Sequence, residues 1–78
     1  MTVTNRHISD LVKQLCKQRG ITQNELGRRM GFSSSLISDK MTTKSPWKFH
    51  ELFTLAKALD VTPEFIIEEV QRVADESS

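Results

Sequence analysis

The stretch that decides the fold is residues 21–41, ITQNELGRRMGFSSSLISDKM. Thr22 followed three residues later by Glu25 is the pattern of a helix N-terminus. The threonine oxygen can accept a backbone N–H of the first turn, and the glutamate can reach back to the N–H of the cap. This predicts a helix over Gln23–Met30 with Leu26 and Met30 on its buried side. Gly27 in its middle weakens the helix by about 1 kcal/mol relative to alanine, which makes sense where another backbone crosses close by. Gly31 ends the helix, Phe32 is an apolar bridge, and Ser33 caps a second helix, Ser34–Met41, buried through Leu36 and Ile37. Such a pair, two short helices joined by a tight glycine turn with a small residue at the crossing, lets the second helix enter a DNA major groove while the first crosses the backbone.

Working outward, Ile8, Leu11, Val12 and Leu15 recur at helical spacing and predict a first helix from about Asn5 to Gln18. Arg6, Lys13 and Lys17 fall on its other side, and Gly20 can take the left-handed conformation that closes it. On the C-terminal side, Thr42–Ser45 reads as a loop. Ser45-Pro46 is a cap followed by proline at the first helical position, predicting a helix over Trp47–Leu59 that buries Phe49, Leu52, Phe53, Leu55, Ala56 and Leu59. Thr62-Pro63-Glu64 repeats the signal and opens a fifth helix carrying Phe65, Ile66, Ile67 and Val70, fraying near Ala74. Nothing alternates with a period of two, so the expected fold is all-α: one compact five-helix domain over residues 1–78, with 64–78 as a C-terminal helix and acidic tail.

The composition fits a small DNA-facing protein better than its net charge suggests. The 78 residues carry a formal charge of only +1. Residues 1–63 hold ten Lys/Arg against five Asp/Glu, whereas residues 64–78 hold Arg72 against Glu64, Glu68, Glu69, Asp75 and Glu76. A basic body with an acidic tail is compatible with a DNA-facing surface, and equally with chance variation of a solvated one. No apolar run approaches the roughly 18 residues a membrane helix needs, and Met1–Asp10 lacks the apolar core of a secretory signal, so a cytoplasmic location is expected. A single cysteine, Cys16, precludes an internal disulfide, and His7 and His50 are too far apart for the usual zinc spacing. Ser33-Ser34-Ser35 has no nucleophile elbow and no base beside it. Catalysis, a cofactor, a metal and a small-molecule ligand are not expected.

The segments Ile21-Thr22-Gln23-Asn24-Glu25-Leu26-Gly27, Met30-Gly31-Phe32-Ser33 and Leu36-Ile37-Ser38 resemble the helix-turn-helix of the lambda-repressor-like, Cro-type (XRE) family. Leu52-Phe53-Thr54-Leu55-Ala56-Lys57-Ala58-Leu59-Asp60-Val61 resembles the helix that follows in that family, and the likeness covers about residues 8–67. The resemblance implies that Gln23, at a helix N-terminus suited to an anion, meets a DNA phosphate. It also implies that Ser34 and Ser35, with Ser38 and Asp39 one turn later, face the bases. Ser33, Thr43, Lys44 and Lys48 are the further candidates for the backbone, together with Lys40. The reading helix is plain, since serine hydroxyls both donate and accept and discriminate bases poorly. Asp39 could accept from a cytosine amino group but repels phosphates, so DNA shape is expected to share the discrimination. Many relatives pair an arginine late in helix 1 with a glutamate ending helix 3. Cys16 and Met41 stand at those positions, and joint replacement of a buried ion pair by apolar groups is tolerated where loss of one partner is not.

The expected function is therefore that of a small prokaryotic or phage transcriptional regulator, a repressor occupying a near-palindromic double-stranded operator as a homodimer, with too few residues for a separate sensing domain. Ile66, Val70 and Val73 at i, i+4 and i+7 form a stripe that reads either as packing over helix 1 or as the dimer contact, the second being preferred. Trp47 reads as core, with packing on the sugar-phosphate backbone as the alternative. Cys16 reads as a packing residue and His50 as a surface one. The alternative function is an antitoxin-type module whose main partner is a protein.

Overall fold

Each helix begins where a side chain satisfies backbone N–H groups that have no partner inside the helix. The computed structural model describes residues 3–77, so residues 1, 2 and 78 of the predicted domain lie outside the described residues. Its elements are α1 (Asn5–Arg19), α2 (Gln23–Met30), α3 (Ser34–Met41), α4 (Phe49–Ala58) and α5 (Pro63–Ser77), with no strand among the described residues. At α1, Thr4 Oγ1 accepts the His7 N–H at 3.4 Å while the Thr4 N–H donates to His7 Nδ1 at 3.0 Å. Thr22, Ser33 and Thr62 each accept the N–H three residues on, at 3.1 Å. Only half of the expected capping box forms at α2, because the Glu25 carboxylate turns to Arg28 and Arg29, 3.4 and 3.5 Å away. Gly20 and Gly31 close α1 and α2 at φ 66° and 77°, the left-handed conformation that glycine adopts without a Cβ penalty.

Two helices depart from their predicted form. α4 starts at Phe49 and not at Trp47. Glu51 Oε1 accepts the Lys48 N–H at 2.7 Å, making Lys48 the cap and leaving Ser45-Pro46 in the loop. Trp47 is buried ahead of the helix, its Nε1 donating to Ser9 Oγ at 2.9 Å and its N–H to Asn5 Oδ1 at 2.9 Å. Leu55, Ala56 and Leu59 fill the inner side of this segment, so Phe49 and Phe53, expected in the core, face outward at 70% and 45% exposure. They meet each other edge to face, with centroids 5.4 Å apart. α5 continues past Ala74 to Ser77. Val73 and Ala74 are buried, and Arg72 clasps Glu69 at 3.1 Å and Glu76 at 2.9 Å along the helix.

The core lies where α5 packs along α1 and α4, and where α3 packs on α1 and α2. Leu11, Val12, Leu26, Ile37, Leu55, Leu59 and Ile66 are at its centre. The stripe read as a dimer contact belongs to this core. Ile66, Val70 and Val73 are 0%, 4% and 4% exposed, because α5 closes the apolar faces of α1 and α4 with that side. They are intramolecular packing residues and offer no surface to a second chain.

Candidate nucleic-acid interface

The geometry of the α2–α3 pair is set at Gly27. A Cβ there would lie 3.0 Å from Ile37 Cγ2, 3.2 Å from Ile37 Cβ and 3.5 Å from the Phe32 carbonyl oxygen. The close neighbour is thus chiefly the Ile37 side chain, with the backbone expected there standing further off. The Phe32 N–H donates to the Gly27 carbonyl at 2.7 Å, which ties the turn to the same spot.

α3 turns Ile37, Lys40 and Met41 inward. The opposite side carries Ser35, exposed, with Ser38 and Asp39 half-buried beside it, and Ser34 is exposed at the start of the helix. Ser33 is exposed, its Oγ already engaged as the cap. Gln23 is exposed at the first position of α2, with Asn24 exposed next to it. Both helix starts therefore present backbone N–H groups and a positive dipole end to any anion that approaches.

After α3 the loop carries Thr43, Lys44 and Lys48, all exposed. The Thr42 hydroxyl donates to the Ser38 carbonyl at 3.0 Å, and the Ser45 N–H to that of Asp39 at 3.1 Å. Thr43 is held at φ 65°, a left-handed conformation that is unfavourable for a β-branched residue. A shallow cleft beside Thr42 and Thr43 is lined from α1 by Arg6, Asp10 and Lys13. Helical spacing alone puts Arg6 and Lys13 on the outer side of α1 without bringing them next to this loop.

Lys40 does not belong with the phosphate-contacting candidates. It is 1% exposed, and its Nζ lies 2.7 Å from Glu51 Oε1 and 2.9 Å from the Pro46 carbonyl oxygen. The Phe32 and Trp47 rings flank it at 5.5 and 5.7 Å from their centroids. With its charge neutralised inside the fold, it cannot reach DNA. Burial alone would push the Glu51 carboxyl up, but the hydrogen bond from Lys40, that from the Lys48 N–H and the charges of Lys40 and His50 together hold it below the ordinary glutamate value. Ser9 completes the network, donating to the Lys40 carbonyl at 2.7 Å and accepting from Trp47. A signal for this pair was present in the sequence. Lys40 stands three residues after Ile37 and Glu51 four before Leu55, so both charges fall on apolar faces.

Cys16 and Met41 are both buried in the one core cluster. Burial pushes the Cys16 thiol up, partly opposed by the positive charge of Arg29. Among the described residues, no group of three or more His, Cys, Asp or Glu is placed to hold a metal ion, and no helix is long and apolar enough to cross a membrane.

The arrangement is a short helix braced against a second whose open side bears small polar groups, followed by a loop of exposed cations. The family described as the Cro/C1-type HTH DNA-binding domain matches residues 12–71. No curated protein sequence matches the chain. Among solved structures, the wild-type restriction-modification controller protein C.Esp1396I superposes with a TM-score of 0.83 at 18% identity, over 95% of each chain. The clp gene regulator ClgR from C. glutamicum does so with a TM-score of 0.77 at 14% identity, over 91% of this chain and 92% of that one. At such identities the likeness is one of fold.

Proposed function

The chain belongs to the Cro/C1-type helix-turn-helix DNA-binding family, and from that premise we propose that it is a transcriptional regulator, a repressor that occupies a near-palindromic operator as a homodimer. The observation that carries the reading is the two-sidedness of α3. Its inner side is fixed by Ile37, Lys40 and Met41, while Ser34 at its start and Ser35, Ser38 and Asp39 on its outer side remain accessible. In this reading those four residues face base edges in the major groove. Gln23, Ser33, Thr43, Lys44 and Lys48 meet the phosphates that set the depth and register of the helix. Serine supplies weak readout, so the deformability of the operator contributes to its selection.

A homodimer needs apolar surface that the folded protomer leaves open. Phe65 and Ile67 on α5, 36% and 47% exposed, and the Phe49–Phe53 pair on α4 supply it. Exposed large apolar groups of this kind support a protein contact, and a two-fold one would match the symmetry of a palindromic site.

Paired substitutions test the division of labour. Lys44→Ala should weaken binding to all duplexes alike and reduce the salt slope by about one. Ser34→Ala or Asp39→Ala should instead change the preference among sequences, by about 0.5–1.5 kcal/mol at the affected base pair, the worth of one hydrogen bond. A Lys44→Ala variant with an unchanged salt slope would remove that lysine from the interface.

A further inference from the structure

The Lys40 ammonium projects from the inner side of α3, and most of what holds it comes from the end of the α3–α4 loop and the first turn of α4. The Pro46 carbonyl, Glu51 Oε1 and the Trp47 ring all contact it, with the Phe32 ring on the other flank. The same Glu51 oxygen accepts the backbone N–H of Lys48 at 2.7 Å. Ser9, from α1, joins the Lys40 carbonyl to the Trp47 indole. The end of the reading helix and residues 46–48 are therefore one hydrogen-bonded body. Apolar side chains of similar volume could fill this space with equal or greater stability. What the ion pair supplies in their place is direction, because each of its bonds has a preferred length and angle.

We propose that Lys40 and Glu51 are positioning residues for DNA reading: they set residues 46–48, and with them the Lys48 cation, relative to the outer side of α3, so that discrimination between DNA sequences depends on a pair that never touches DNA. The inference rests on the DNA-reading function proposed above. Phosphate contacts fix where a reading helix lies in the groove, and a loosened loop permits several registers. Non-specific binding needs only cations near the backbone and tolerates that loosening.

The test compares the wild type with Lys40→Met/Glu51→Gln on two duplexes, one enriched by the wild type from a random pool and one unrelated. Circular dichroism and a cooperative melt establish folding. The ratio of the two affinities should fall about tenfold or more, because one lost register contact is of that order. Affinity for the unrelated duplex should stay within about threefold and the salt slope should be unchanged, since no exposed cation is removed. If the first variant does not fold, Lys40→Met/Glu51→Leu, which leaves no polar atom of either side chain buried, takes the same test. A folded variant that keeps the wild-type ratio overturns the proposal, and a salt slope reduced by about one would return Lys40 to the phosphates. A wild type that enriches no duplex overturns the DNA-reading function instead, which separates the two failures.

Discussion

At Gly27 a methyl group would crowd the space between α2 and α3, because the nearest atoms, 3.0 and 3.2 Å away, belong to Ile37, which is fully buried and branched at the point of contact. Gly27→Ala gains about 1 kcal/mol of helix propensity. Against this, forcing an extra carbon into a packed crossing costs about 1–3 kcal/mol. The second effect wins, since Ile37 cannot rotate away without opening the core. A net loss of about 1 kcal/mol in urea denaturation is expected, and a gain would show that the crossing is looser than its distances imply. That a glycine at this position signals a close approach was legible from the sequence. That the neighbour is chiefly a side chain was not, because periodicity places Ile37 on the inner face without giving its distance from α2. Lys40 was misread for a related reason. A lysine beside a loop rich in cations suggests a phosphate contact, and only its phase with Ile37 points inward.

At the scale of elements, caps proved the most readable feature and helix phase the least. Thr22 and Ser33 cap α2 and α3 with the bounds expected from them. α4 begins late because the Glu51 carboxylate, not Ser45-Pro46, satisfies the start of the helix, and Phe49 and Phe53 lie outside because Leu55, Ala56 and Leu59 take the inner side. The Ile66, Val70 and Val73 stripe was visible, but a stripe alone does not say whether its partner is the same chain. The α3–α4 junction yields a pH test. The Glu51 carboxyl is held below the ordinary glutamate value, so it contributes stability that is present at neutral pH and lost as the pH falls through its folded value, under about 4.5. Stability should therefore drop between pH 7 and pH 3 by more in the wild type than in Glu51→Gln. That variant starts lower because removing one partner of a buried pair costs about 3–5 kcal/mol. Parallel acid limbs for the two proteins would show that Glu51 does not couple these elements.

The whole molecule is a helical core that hides one side of α3, locks the loop behind it by a buried ion pair, and leaves aromatic and apolar groups open on α4 and α5. Fold and family could be read from the sequence because capping and turn chemistry are local, and Thr22, Gly31 and Ser33 each act within a few residues. Local phase puts Lys40 and Glu51 on apolar faces, but that the two meet each other, and that α4 and α5 keep an apolar outer surface, depends on how distant segments pack. The central claim is that this molecule reads double-stranded DNA through α3 as a two-fold pair. Selection of bound duplexes from a random pool tests it most directly. The account predicts an enriched inverted repeat with half-site centres about one helical turn, roughly 10 bp, apart. Binding that enriches no sequence and vanishes uniformly with salt would contradict it.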